Sequence, residues 1–212
     1  MQQRFRIGIT GGIGTGKTFV SRLLHHRYGI PVYNTDAEAK RLMVESQAIR
    51  EQLTALLGAE AYLSNGQLNR DILRRFVFSC QKHVQAVNAI VHPVVRRDFI
   101  CWADSVRLTP AEEALQQPYF KQQVVAVESA LLIEAHLTAD VDHVLLVTAS
   151  QQTRLHRTMQ RDGLPKQEIL QRMSHQFSDT DRLPFVHHII TNDEGTTDLD
   201  EQLKHFINTL TH

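Results

Sequence analysis

The stretch "RIGITGGIGTGKTF", Arg6 to Phe19, decides how this chain is read. From Phe5 to Thr10 apolar residues alternate and then run together, the pattern of a strand covered on both sheet faces. From Gly16 to Tyr28 the pattern turns helical and closes at Gly29, and "IPVYN" (Ile30 to Asn34) follows as a second strand. Strand, glycine loop, helix and strand within about 30 residues make a right-handed parallel crossover. Between strand and helix lies Gly11, then four residues, then Gly16-Lys17-Thr18, which fits the phosphate-loop pattern G-x-x-x-x-G-K-[ST]. Fixing so many glycines costs conformational entropy, so the loop serves a ligand. The amides of Gly12, Ile13, Gly14, Thr15, Gly16 and Lys17 curl into an anion nest at a helix N-terminus. Lys17 reaches the outer phosphates and Thr18 presents a hydroxyl to Mg²⁺, so the expected ligand is a nucleoside triphosphate with its metal.

Outward from this loop, further strands are expected at "QVVAVES" (Gln123 to Ser129), "DHVLLVT" (Asp142 to Thr148) and "HHIIT" (His187 to Thr191), giving an α/β fold with a five-stranded parallel sheet. Residues 1–48, 121–150 and 178–212 form the nucleotide-binding core of this organisation. Residues 49–120 read as a helical insertion, punctuated by Gly58, the Asn65-Gly66 turn and the His92-Pro93 step. Its last part, "LTPAEEALQQPYF" (Leu108 to Phe120), reads as a surface excursion. Residues 151–177 form a helical pair around "DGLPK", a lid. At 212 residues the chain buries roughly 70 % of its unfolded surface, enough for one substantial domain with an appendage.

Composition narrows the function further. Apolar residues at 42 % and charged residues at 22 % argue against a disordered tail. The 23 basic side chains balance 23 acidic ones, which argues against a nucleic-acid coat and makes any anion site local. Cys80 and Cys101 have no close-spaced partner, so they read as reduced core thiols. Without a long apolar segment or cleavage signal, the expectation is a cytoplasmic protein with no membrane partner.

Other side chains gather around the same chemistry. Asp36, at the end of the second strand, is a base for an acceptor hydroxyl, a metal-positioning carboxylate or the N-cap of its own helix. Arg154, Arg157 and Arg161 share an arc of roughly 60° on one helix, either a solvated face or a set of guanidiniums that a lid closes over phosphates. Arg172 and Gln176, one turn apart, line the cleft or the surface. Glu128 ends a hydrophobic strand and either organises a metal or meets solvent. The doublets His25-His26 and His187-His188 point their neighbours apart and do not clasp one ion. His92 caps or contacts substrate. No guanine-reading N-K-x-D motif accompanies the loop, which disfavours a nucleotide-driven switch.

With these residues in hand, the sequence resembles the dephospho-CoA kinases nearly end to end. The likeness runs through "TGGIGTGK" (Thr10 to Lys17), "NTD" (Asn34 to Asp36), "LNRDILRRFVF" (Leu68 to Phe78), "NAIVHPVV" (Asn88 to Val95), "ALLIE" (Ala130 to Glu134), "RLHRTMQRD" (Arg154 to Asp162) and "RMSHQ" (Arg172 to Gln176). The resemblance implies a three-layer P-loop kinase fold with a substrate-binding helical insertion and a lid. It implies transfer of a phosphoryl group from ATP-Mg²⁺ to the ribose 3'-hydroxyl of dephospho-CoA. By that resemblance Asp36 is the base, Arg157 joins the lid that stabilises transferred charge, and Arg70 and His92 hold the substrate. Separately, Asn192 is a candidate for adenine contact from its place in the loop after the last strand. Two departures stand out: Asn34 where the family usually has a first aspartate, and Ala130 where it often has proline. The nearest alternative is another P-loop small-molecule or nucleoside monophosphate kinase, and the expected assembly is a monomer or small homo-oligomer.

Overall fold

The computed structural model describes residues 4–174, 176–193 and 196–210. Five strands form where apolar residues run together: β1 (Phe5–Thr10), β2 (Val32–Asn34), β3 (Val124–Glu128), β4 (His143–Thr148) and β5 (His188–Thr191). They make one parallel sheet in the order β2-β3-β1-β4-β5, the core of a three-layer α/β fold. Every residue of β3 is buried, as expected of a parallel strand covered on both faces. In chain order the first half also forms helices α1 (Lys17–Tyr28), α2 (Thr35–Glu45), α3 (Gln47–Leu57), α4 (Arg70–Ser79) and α5 (Gln81–Ser105). The second half of the chain adds α6 (Pro110–Gln116), α7 (Gln151–Asp162), α8 (Lys166–Ser174), α9 (Asp179–Arg182) and α10 (Thr196–Leu210). No described helix is long and apolar enough to cross a membrane.

The chain divides into two compact units, one of Met1–Tyr33 with Ala103–His212 and the other of Asn34–Trp102. In the first, Val20, Leu24 and Tyr28 of α1 and Leu199, Leu203, Phe206 and Ile207 of α10 pack with Ile7, Ile9, Val124, Ala126, Leu145, Val147 and Ile190 of the sheet. Each such side chain contributes about 1.5–3 kcal/mol when fully buried, so the loops at the strand ends spring from a fixed base. The segment expected to be a surface excursion contributes to this base instead. Pro110 occupies the first turn of α6, Thr109 and Glu112 close a capping box, and the buried Gln116 donates to the carbonyls of Gly29 and Val124 and accepts from Val124 N–H. Proline at a helix start supports a helix, which its presence in the sequence obscured.

In the second unit α5 passes straight through Pro93, so the His92-Pro93 step is not a helix junction. An internal proline costs about 3 kcal/mol, and the buried stripe Val87, Val91, Val95 and Phe99 at four-residue spacing offsets it. Cys80 and Cys101 are not joined in a disulfide, and both are exposed rather than in the core. Cys80 ends α4, an amphipathic helix with no buried residue of its own.

Candidate active site

The sheet order sets where the chemistry lies. The chain leaves β1 toward β2 on one side and leaves β3 toward β4 on the other, so β1 and β3 flank the point where winding reverses. Parallel sheets open a ligand crevice at the carboxyl ends of such strands. The phosphate loop begins there, directly after β1. Ile9 of β1 is in register with Glu128, which ends β3. Glu128 is buried, and its Oε1 accepts a 2.6 Å hydrogen bond from the Thr18 hydroxyl. It does not merely meet solvent. A hydroxyl and a carboxylate side by side are hard oxygen donors suited to Mg²⁺, which takes one or two carboxylates alongside substrate phosphates and water.

The loop is shaped by three glycines with positive φ, Gly11 at +152°, Gly14 at +80° and Gly16 at +89°. Thr15 folds back on Gly12, whose carbonyl accepts both its N–H at 3.4 Å and its hydroxyl at 3.0 Å. Lys17 Nζ donates to the same carbonyl at 3.2 Å, which holds the ammonium across the loop. Asn192 lies against it from outside. Its carboxamide donates to Thr15 O at 2.8 Å and fills the space where a Cβ on Gly16 would sit.

The arginine stripe on α7 divides. Arg154 Nε donates to Ile13 O at 2.9 Å, and its guanidinium covers Gly12. Burial lowers the pKa of Arg154, an effect that Asp179 opposes and Arg182 reinforces. Arg157 donates to the carbonyls of Asn192 at 2.8 Å and Asp193 at 3.1 Å, clamping the loop after β5. Arg161 pairs with Asp162 and is 66 % exposed, so it belongs to the surface. Arg172 pairs with Glu168 on its own helix, whereas Gln176 reaches the phosphate loop and accepts from Ile13 N–H at 2.9 Å. His175, within the "RMSHQ" motif, lies outside the described residues.

The remaining candidates belong to the second unit. Asp36 stands exposed in the first turn of α2, two residues beyond the end of β2. It does not cap that helix. Asn34 does, through a 2.9 Å bond from Ala37 N–H to its Oδ1. The residue that replaces the family's first aspartate therefore keeps a structural task, and Asp36 is spared one. Arg70 opens α4 and is exposed, while His92 is half-buried in mid-α5.

A family model described as dephospho-CoA kinase matches residues 5–198. The chain belongs to the dephospho-CoA kinase family. It is a kinase of coenzyme A synthesis that uses ATP to phosphorylate dephospho-CoA. It is 36 % identical over 188 residues to a dephospho-CoA kinase of Bacteroides fragilis, covering 89 % of this chain and 84 % of the relative. A solved structure from Thermus thermophilus superposes with a TM-score of 0.75 at 31 % identity and covers both chains fully. The dephospho-CoA kinase of Campylobacter jejuni has a TM-score of 0.63 at 18 % identity over 99 % of this chain and 98 % of its own, which supports the fold. Within this kinase, sequence reasoning passed over Asp179, Arg182 and Glu134. Their only signal was a charged residue beside an apolar run, as in "ALLIE" and "DTDRLPF".

Proposed function

We propose that the kinase binds ATP on the amides of Gly12 to Lys17, transfers its γ-phosphoryl group to the 3'-hydroxyl of dephospho-CoA, and uses Asp36 to accept the hydroxyl proton. The observation that supports the nucleotide half best is the loop itself, with Lys17 held across it and Thr18 bonded to buried Glu128 beneath it. Thr18 and Glu128 are the residues that would hold Mg²⁺, which when bound neutralises charge developing on the phosphoryl oxygens. Lys17 and Arg157 offset the same charge, Asn192 keeps its place at the nucleotide's adenine side while anchored on Thr15, and Arg70 and His92 hold the acceptor. Residues 49–120 serve as the acceptor-binding insertion, 151–177 as the lid, and 1–48, 121–150 and 178–212 as the nucleotide core. The kinase acts in the cytoplasm as a monomer or small homo-oligomer.

Phosphoryl transfer asks the protein chiefly for positioning and charge stabilisation. A base adds on the order of 10²- to 10⁴-fold. Asp36 is exposed and free of a capping task, which suits a carboxylate that must meet an incoming hydroxyl. Asp36→Asn should therefore lower kcat within that range and leave the KM for ATP within about twofold. The deciding assay couples ADP release to dephospho-CoA and, in parallel, to a panel of nucleoside monophosphates. A preference for a monophosphate would overturn the acceptor, and an Asp36→Asn enzyme with lost ATP affinity would make Asp36 a nucleotide ligand.

A further inference from the structure

Arg182 is completely buried, at 0 % exposure, at the end of the four-residue helix α9. Its Nη1 donates to Asp179 Oδ1 at 3.2 Å, and its Nη2 stands 3.7 Å from Glu134 Oε1. Among the described residues, its Nε and Nη2 make no hydrogen bond, and neither does the buried Glu134 Oε2. A guanidinium so placed is a poor stabiliser. Removing it from water costs several kcal/mol, and an apolar side chain of equal volume often does as well.

What distinguishes Arg182 is where its partners lead. Asp179 is shared: its other oxygen, Oδ2, lies 3.8 Å from Arg154 Nη1. Arg154 in turn holds Ile13 O at the tip of the phosphate loop. The N–H of the same residue is taken by Gln176, six positions before Arg182. Glu134 Oε1, the far partner, accepts from Phe177 N–H at 3.3 Å. One short segment, Gln176 to Arg182, thus touches the loop tip, the loop-covering arginine and the residue anchoring that segment to the chain after β3.

We propose that Arg182 is a positioning residue for ATP: it holds Asp179 at a fixed distance from Arg154 and so sets how Arg154 grips the tip of the phosphate loop. The four charges of Arg154, Asp179, Arg182 and Glu134 cancel. Without Arg182, Asp179 is left with one guanidinium partner and draws Arg154 away from Ile13. With it, Asp179 is divided between two, and Arg154 keeps its Nε on the loop carbonyl. The inference rests on the loop being the ATP site.

The test is a double-mutant cycle on the full chain, with ATP varied at saturating dephospho-CoA, the reverse titration, and thermal melting. Arg182→Met should raise the KM for ATP about 10-fold, within the range for coupling carried through packed side chains, and leave the KM for dephospho-CoA within twofold, whereas Asp179→Asn, which removes the carboxylate that draws on Arg154, should leave the KM for ATP within about twofold and suppress the effect of Arg182→Met. In an Arg154→Ala background neither should add more than about twofold, because the residue through which they act is gone. Arg182→Lys, which keeps the charge, should recover part of the loss. If Arg182→Met does not fold, Arg182→Lys carries the cycle with Asp179→Asn as its partner, since the Asp179 side chain is one-third exposed. Effects that multiply in the Arg154→Ala background, or a lowered melting temperature with unchanged KM for ATP, overturn the proposal. A wild-type enzyme inactive on dephospho-CoA would instead strike the acceptor assignment.

Discussion

Gly14→Ala should damage ATP use far more than its single methyl group suggests. Gly14 has φ +80°, a conformation that costs an L-residue roughly 1–2 kcal/mol. Its surroundings add a second term. A Cβ there would lie 2.7 Å from the Thr158 hydroxyl and nearer still to the main-chain carbonyl oxygen of Arg154. A backbone atom does not rotate away as a side-chain tip does. The start of α7 must retreat by about 1 Å for that Cβ to reach ordinary van der Waals distance. The same turn of α7 carries Arg154 onto Ile13, so the retreat pulls the guanidinium from the loop. Misplacement of about 1 Å in a positioning element costs on the order of 100-fold, and that is the loss expected in kcat/KM for ATP. Gly163→Ala is the matched comparison, with φ +65° at the end of the same helix and open space around its Cβ. It should lower Tm by about 2–8 °C, the conformational term alone, and leave kcat/KM for ATP within about threefold. Steady-state kinetics with ATP varied, paired with thermal melts of both variants, makes the comparison. Gly14→Ala within threefold of wild type, or Gly163→Ala as impaired as Gly14→Ala, would refute the reasoning.

Lys17→Ala should raise the KM for ATP and lower kcat, with a combined loss of at least about 100-fold; unchanged steady-state kinetics would remove the loop from the reaction. Glu128→Gln should shift the Mg²⁺ dependence of activity to about 10- to 100-fold higher concentration, and an unaltered magnesium titration would detach Glu128 from the metal. His143 should make the fold sensitive to acid. Burial, with His187 and His188 adding to it, pushes His143 down from 6.5 to about 4, and its Nε2 has no partner among the described residues. Because the folded value lies below the unfolded one, the stability is present above pH 6.5 and is lost as pH falls toward 4. With the ring only half buried, the effect should be about 1 kcal/mol, or about 2–4 °C in Tm. His143→Phe, packed beside Phe206, should flatten the Tm profile across that window, and an identical slope would exclude His143 as its source.

Features written in neighbouring residues were legible in the sequence, and features that join distant residues were not. The strand-loop-helix unit lies within one continuous stretch, so β1, α1 and the phosphate loop appear where periodicity and motif put them. Glu128 showed only as a charge closing an apolar run, because its partner Thr18 is 110 positions away. Gln176 is 163 positions from Ile13 and looked equally like a surface residue. Pro93 and Pro110 misled in opposite ways for one reason: local propensity marks a break, whereas burial of Val91, Val95 and Gln116 decides whether a helix forms there. Arg182 offered no pattern, since a lone arginine among aspartates has the composition of a solvated turn.

A chain with zero net charge must create its phosphate affinity locally, and the bonding of its arginines accounts for how. Surface guanidiniums meet carboxylates: Arg41 pairs with Glu38, Glu45 and Asp98, Arg161 with Asp162, and Arg172 with Glu168. Around the loop, backbone carbonyls hold them instead, Arg157 through Asn192 and Asp193 and Arg154 through Ile13. A carbonyl fixes a guanidinium's position without cancelling its charge, so the positive field stays directed at the anion. Among the described residues Asp179 is the one carboxylate paired with Arg154 that would cancel it, and Asp179 is itself drawn toward buried Arg182. Replacing Arg182 therefore alters the field at the loop without touching a loop residue, an effect that packing alone would not produce.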